Sequence, residues 1–114
     1  MFIKRLDEAK SYEAPNHHGV HGLRLQGFEA GSSEKFWVGL SRILPGGGAG
    51  PDASPFEKVY VLLSGELTVK AAGKSHILKT LDSCTIAANE EREIINHTNS
   101  VTSMIVIMPY PEKK

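Results

Sequence analysis

The chain has 114 residues, 40% of them hydrophobic and 23% charged, with a formal net charge of zero at pH 7. Such a length and composition are typical of one soluble globular domain. The zero net charge gives no attraction for nucleic acid or for an anionic membrane surface, and no apolar run approaches the roughly 18 residues of a membrane span.

Residues 1–22 are polar and have no regular hydrophobic pattern, so we expect an irregular N-terminal arm. They also lack an apolar segment followed by a small-residue cleavage site, and a cytoplasmic location is therefore expected. From Leu23 onward, short runs of alternating, β-branched and aromatic residues predict about eight strands. The predicted strands are 23–28, 36–44, 58–63, 66–71, 76–78, 84–86, 93–95 and 101–108. No long helical pattern is present, which indicates an all-β sandwich or small barrel.

The segment from Gly46 to Gly65 combines three features in a fixed order. A loop rich in glycine and proline, which we expect to end the preceding strand at Pro45, leads into the strand Lys58–Leu63. A tight turn at Ser64 and Gly65 then opens into the next strand.

This order resembles the first motif of the cupin superfamily, G-x5-H-x-H-x3/4-E-x6-G. The spacing is kept by Gly46, Asp52, Ser54, Lys58 and Gly65. The two histidines and the glutamate of the motif are therefore replaced by Asp52, Ser54 and Lys58.

The second cupin motif, G-x5-P-x-G-x2-H-x3-N, fits residues 81–96 with more departures. Leu81 and Ala87 stand at the first glycine and the proline, Asn89 at the second glycine, Arg92 at the histidine and Asn96 at the asparagine. Asn89 is a sensible replacement because asparagine tolerates a positive φ better than most residues.

The resemblance implies one cupin domain over residues 1–114, with the barrel in 36–108. The expected fold is a small β-barrel of the double-stranded β-helix or jelly-roll type. Small cupins are commonly dimers, so we expect a homodimer in which Leu23–Phe28 pairs with a sheet edge that would otherwise be open.

Cupins usually hold a metal with three histidines and one glutamate, and the resemblance places Asp52, Ser54, Lys58 and Arg92 at those four positions. A charged lysine or arginine cannot coordinate a metal, and serine is a poor ligand. We therefore expect no metal and no other cofactor. The alternative is a replacement metal site made from His17, His18 and His21.

If the ligand positions face the barrel interior, alternation along the strand also turns Tyr60 and Leu62 inward. Tyr60, Lys58 and Asp52 are then the catalytic candidates, and Lys58 should lower the pKa of Tyr60. The candidate substrate-binding residues are Arg92, Ser54, Asn96 and Glu57. In a structural alternative, Lys58 and Arg92 form an ion-pair network with Asp52, Glu57 and Glu91 and bind nothing.

Three functions remain open at this point. The first is a metal-independent enzyme that moves a proton on a small anionic, carboxylate-type molecule, as an isomerase, cyclase, lyase or decarboxylase. The second is a binding or sensing module that uses the same pocket without chemistry. The third is an atypical metalloenzyme that uses the N-terminal histidines. Trp37 fits either the pocket or the core.

Overall fold

The computed structural model describes residues 1–111, which form nine β-strands and two short 3₁₀ helices at Leu6–Glu8 and Phe28–Ala30. The strands are β1 Ser11–Tyr12, β2 His17–Gln26, β3 Phe36–Asp52, β4 Lys58–Ser64, β5 Leu67–Ala71, β6 Lys74–Leu78, β7 Ser83–Ile86, β8 Arg92–Ile95 and β9 Thr102–Pro109. The all-β prediction is confirmed. None of the helices in this part of the chain has the length and apolar character needed to cross a membrane.

The strands form one antiparallel sheet in the order β6-β5-β8-β3-β9-β4-β7, and β2 and then β1 add to the side of β3. Strand β3 is the centre of this arrangement. Its first half pairs with β9, from Phe36 to Ile43, and its second half pairs with β8, from Gly48 to Asp52. Both halves also pair with β2. The sheet therefore folds around one interior.

Alternating residues of the strands fill that interior, as the strand period of two requires. On β4, Lys58, Tyr60 and Leu62 are buried, and the residues between them are only partly so. Ile43 and Leu62 have no exposed surface and belong to the same apolar cluster. The predicted inward direction of Lys58, Tyr60 and Leu62 is confirmed.

The expected end of the strand at Pro45 is wrong, because β3 continues through Gly46 to Asp52. The glycines make this possible. A Cβ atom at Gly48 would collide with the carbonyl oxygen of Ile94, so only a glycine lets β8 pair at this distance. The run that predicted a loop is a site of close backbone approach between strands.

The irregular arm predicted for residues 1–22 is also wrong in part. β1 lies within it, and β2 starts at His17 instead of Leu23. The local sequence is a poor strand former, but β3 supplies hydrogen-bonding partners along its length, and such tertiary context outweighs local propensity. The pairing expected for Leu23–Phe28 is made by β2 with β1 and β3 of the same chain. The homodimer stays a prediction.

Two residues of the second motif have the backbone conformation that favours glycine. Asn89 has a φ of 65°, as expected for a residue that replaces glycine. Leu81 stands at the other glycine position with a φ of 70°, and its side chain is exposed. A left-handed conformation costs a non-glycine residue about 1–2 kcal/mol.

Replacing Leu81 by glycine should therefore raise the free energy of unfolding by about 0.5–1 kcal/mol, after subtraction of the greater chain entropy of glycine. Chemical denaturation measures this change. Ile77→Gly is the matched control, because Ile77 is also exposed but lies in the regular β5–β6 ladder. The control should lose stability, and a loss in both variants contradicts the strain at Leu81.

Candidate functional site

A cavity of about 490 Å³ lies at the end of the barrel where β4 and β8 begin. This volume is in the range of small-molecule sites, about 300–1,000 Å³. Its polar lining consists of Tyr12, Glu13, His17, Arg24, Ser41, Asp52, Ser54, Lys58, Tyr60 and Arg92. The residues at the four expected ligand positions thus meet in one cavity.

Arg92 is held on the barrel side of this cavity by a buried hydrogen bond. Its Nε donates to the Tyr60 hydroxyl oxygen at 2.8 Å, and only 5% of Arg92 is exposed. The register places Arg92 opposite Asp52 across the β3–β8 ladder. Its Nη1 is buried and has no hydrogen-bond partner within residues 1–111. Arg92 therefore has an unused donor beside the cavity.

Lys58 is the second buried cation of the cavity, with 6% of its surface exposed. Burial lowers the pKa of its ammonium group, the neighbouring charge of Arg92 lowers it further, and Asp52 opposes both. The salt bridges found within residues 1–111 lie elsewhere in the chain. The ion-pair network of the structural alternative is therefore not formed there, and neither cation has a bonded carboxylate.

Tyr60 does not have the lowered pKa that its position beside Lys58 suggested. Burial raises the pKa of the phenol, and this effect exceeds the opposing influence of the Arg92 charge and hydrogen bond. A phenol that is 2% exposed loses too much hydration for its anion to be favoured. Tyr60 positions Arg92, and its raised pKa disfavours a phenolate base, while its role in proton transfer stays a prediction.

Asp52 and Ser54 lie at the rim of the cavity and are tied into local turns. One carboxylate oxygen of Asp52 accepts a hydrogen bond from the Ala53 amide at 2.9 Å. The Ser54 hydroxyl donates to the Phe56 carbonyl at 3.0 Å and accepts from the Phe56 amide at 3.1 Å. Ser54 thus shapes the loop, while Asp52 keeps carboxylate lone pairs for the cavity.

Two of the candidate binding residues are not brought to the cavity. Glu57 is exposed and points away from it, as the alternation of β4 requires. Asn96 is fully buried, and its amide donates to the carbonyls of Ile43 and Ser100 while its oxygen accepts twice from Thr98. Asn96 has no donor left for a ligand and holds together the loop before β9.

The three N-terminal histidines do not converge. His17 is half-buried and lines the cavity, whereas His18 and His21 are exposed on β2. No three His, Cys, Asp or Glu side chains within residues 1–111 are grouped so that they could hold a metal ion. The replacement metal site therefore has no counterpart in this geometry.

The opposite wall of the cavity is aromatic. The Arg24 guanidinium carbon lies 4.3 Å from the ring centroid of Tyr12, 4.5 Å from that of Phe28 and 5.1 Å from that of Trp37. Arg24 also bonds Glu29 at 3.1 Å. These distances are those of cation–π contacts. Trp37 therefore belongs to the cavity wall, which the sequence left open.

Glu13 and Tyr12 are lining residues that the sequence did not indicate. They enter from the hairpin that joins β1 and β2, which covers the mouth of the barrel. The arm was expected to be irregular, so no pattern marked these side chains. In the structure Tyr12 pairs with Gly22, whose missing side chain leaves room for the Tyr12 ring. In the sequence this glycine was the one feature that could have indicated a close neighbour.

Residues 39–108 match the family model described as Cupin domain. This span is more than half of the chain and contains both motifs and most of the cavity lining. The chain belongs to the cupin family.

Relatives of this cupin carry different names. Beta-D-galactosidase Rv1717 of Mycobacterium tuberculosis is 45% identical over 97% of this chain and 96% of its own. The polyketide cyclase RemF of Streptomyces resistomycificus superposes with a TM-score of 0.82 at 15% identity, over 95% of this chain and 80% of its own. A Pseudomonas aeruginosa protein described as glyoxylate induced superposes with a TM-score of 0.75 at 22% identity. The match covers 91% of this chain but 40% of that protein. The last two similarities show the fold alone.

The metal that cupins commonly bind does not fit the residues present here. Lys58 and Arg92 occupy two of the four ligand positions, both are buried, and neither has a carboxylate partner in the described chain. A divalent cation placed between them would be repelled by both charges, and among the four ligand positions only Asp52 is a strong ligand. The other acidic and histidine side chains of residues 1–111 form no group of three that could hold a metal ion.

Proposed function

We propose that the cavity binds a small carboxylate-type anion through Arg92 and Lys58 and that the protein catalyses a metal-independent proton transfer on it. The observation that carries this proposal is a pair of buried cations that line one cavity and have no bonded carboxylate among residues 1–111. Two buried cations are costly unless anions neutralise them. A ligand carboxylate supplies that missing charge.

The same two cations also suit the chemistry. When a proton leaves the carbon next to a carbonyl group, negative charge develops on the oxygen, and fixed cations in a dry site stabilise it strongly. Arg92 offers its guanidinium group to such an oxygen, and Lys58 offers an ammonium group. Many isomerases, cyclases and lyases use this step, and decarboxylases form a similar enolate by loss of CO₂ before a proton is added. A binding module without catalytic activity would bind the anion through the same two cations.

Binding is measured through Trp37, the sole tryptophan of the chain and a residue of the cavity wall. Titration with malonate, pyruvate and benzoate should change its fluorescence saturably for at least one anion. The neutral methyl esters are the matched controls and should have no effect at the same concentration. If none of the three anions changes the Trp37 fluorescence saturably, the proposal is contradicted.

Glycoside hydrolysis is a second candidate, and two observations favour it. The relative from Mycobacterium tuberculosis is named a beta-D-galactosidase and is 45% identical to this chain. Glu13 and Asp52 both line the cavity, and most glycosidases use a pair of carboxyl groups as acid and as base or nucleophile.

Hydrolysis of o-nitrophenyl β-D-galactoside separates the two candidates. If the second is correct, Glu13→Gln and Asp52→Asn should each lower kcat by about 100-fold or more, the usual contribution of an acid or base. Glu34→Gln, which lies outside the cavity, is the control. If the wild-type protein hydrolyses this substrate no faster than the blank, glycoside hydrolysis is ruled out and proton transfer on a carboxylate is the remaining candidate.

A further inference from the structure

His17 is the one imidazole of the chain that lines the cavity. It stands opposite Ala49 in the β2–β3 ladder, and Ala49 stands opposite Ile94 in the β3–β8 ladder. Directly opposed residues project to the same face of a sheet. Ala49 and Ile94 are core residues, so the ladder turns His17 toward the barrel interior, on the side where Arg92 begins β8.

A hydrogen bond fixes which nitrogen of His17 carries the proton. Nδ1 lies 2.7 Å from the carbonyl oxygen of Pro15. A carbonyl oxygen only accepts, so Nδ1 must be the donor, and in the neutral ring Nε2 then has a free lone pair. Within residues 1–111 no side chain or backbone group bonds Nε2. The basic nitrogen is available to a ligand.

Charged groups from four parts of the chain surround His17. Asp52 comes from β3, Lys58 from β4, Arg92 from β8 and Glu13 from the hairpin before β2. Burial lowers the pKa of His17, and Arg92 and Lys58 lower it further, against the bond to Pro15 and the charge of Asp52. The ring is therefore neutral, and able to accept a proton, at neutral pH.

We propose that His17 is the general base of the proton transfer and that the substrate is a 2-oxo acid or a similar carbon acid. This inference rests on the proposed function. Nε2 takes the proton from the carbon next to the carbonyl group, and the electrons of the broken C–H bond form the enolate. The negative charge on the enolate oxygen faces Arg92 and Lys58. The imidazolium then returns the proton to the same or a neighbouring atom, which balances the reaction without a co-reactant.

Proton exchange tests the proposal without knowledge of the natural substrate. Pyruvate, 2-oxobutyrate and 2-oxoglutarate are incubated with the protein in D₂O, and loss of the C3 proton signals is followed by NMR. His17→Asn keeps a donor for the Pro15 carbonyl but has no basic nitrogen. It should reduce exchange by about 100-fold or more while KM stays within about twofold. His18→Asn, on the exposed face, should exchange like the wild type.

Two further measurements separate a base from a residue with a purely structural role: the pH profile of the exchange rate and the tautomer of His17. Wild-type exchange should fall as the pH drops through a value below the ordinary histidine pKa of about 6.5, because a protonated base cannot accept. The ¹⁵N spectrum should show His17 protonated at Nδ1.

Three results overturn the inference. The first is an exchange rate of His17→Asn within about threefold of the wild-type rate. The second is a ¹⁵N spectrum in which His17 carries its proton on Nε2. If the wild type binds these acids by Trp37 fluorescence but exchanges none, the proton-transfer function itself fails, and His17 as its base fails with it. His17→Gln provides a second variant should His17→Asn melt at a lower temperature than the wild type.

Discussion

Replacing Arg92 by methionine should weaken binding of a small carboxylate by at least about 1.5 kcal/mol, the low end for a hydrogen bond to a charged group, or more than tenfold in Kd. The variant loses the guanidinium donors and the buried positive charge. Stability should change little, because removal of a desolvated cation offsets the loss of the bond to Tyr60. Trp37 fluorescence and thermal melts measure the two effects.

Lys58→Met is the companion variant and should bind carboxylates as weakly, but it should melt at a higher temperature than the wild type. No hydrogen bond of Lys58 is lost within residues 1–111, so only the cost of its buried charge is removed. Lys70→Met, on the exposed side of β5, is the control and should leave binding unchanged. A stability loss of about 3–5 kcal/mol in both cavity variants points to a buried ion pair instead.

The pH dependence of stability follows from the same group. The folded pKa of Lys58 is lowered, so between that value and the unfolded pKa the unfolded chain binds more protons than the folded one. Stability attributable to Lys58 therefore rises as the pH rises through this interval. The stability gap between Lys58→Met and the wild type should narrow toward pH 10.

Replacing Asn96 by alanine should lower the free energy of unfolding by about 3 kcal/mol, because it leaves buried partners without hydrogen bonds at about 1–3 kcal/mol each. The Ile43 carbonyl oxygen loses the Asn96 donor, the Ser100 carbonyl oxygen keeps only the Thr98 hydroxyl, and the Thr98 amide loses its acceptor. Chemical denaturation measures the loss. Carboxylate affinity should stay within about twofold, since Asn96 does not line the cavity.

Asn99→Ala is the matched control in the same loop, because Asn99 is exposed and should tolerate the change within about 0.5 kcal/mol. A large loss of affinity in folded Asn96→Ala would restore the ligand-binding role that the sequence suggested. An equal loss of stability in the two variants would show that the loop, not the Asn96 side chain, is sensitive.

The barrel and the meeting of Asp52, Ser54, Lys58 and Arg92 could be predicted, because motif spacing and strand alternation depend only on distance along the chain. The alternation of β4 also gave the correct face for Tyr60. What alternation cannot give is the contact between strands. The hydrogen bond from Arg92 to Tyr60 joins β8 to β4, and it makes Tyr60 a partner of the Arg92 guanidinium, which spacing along the chain does not indicate.

The remaining errors have the same cause. The glycines after Pro45 have no side chain to signal a strand, and their purpose becomes visible only when β8 lies against them. The arm before β2 looked irregular because its order comes from β3. Asn96 matched the motif position, yet its spacing carries no information about the four hydrogen bonds that occupy it.

The continuity of β3 restricts how this protein can change during evolution. One uninterrupted strand carries Trp37 at its start and Asp52 at its end, and both face the cavity. The two positions have opposite parity, and a register shift between Ala49 and Asp52 brings both side chains to the cavity. Adding or deleting one residue in the regular segment between Trp37 and Ile43 would turn Trp37 to the other face, since strand side chains alternate. Relatives that keep this strand should therefore alter their specificity through substitutions in β3, while length variation accumulates in the connections outside it.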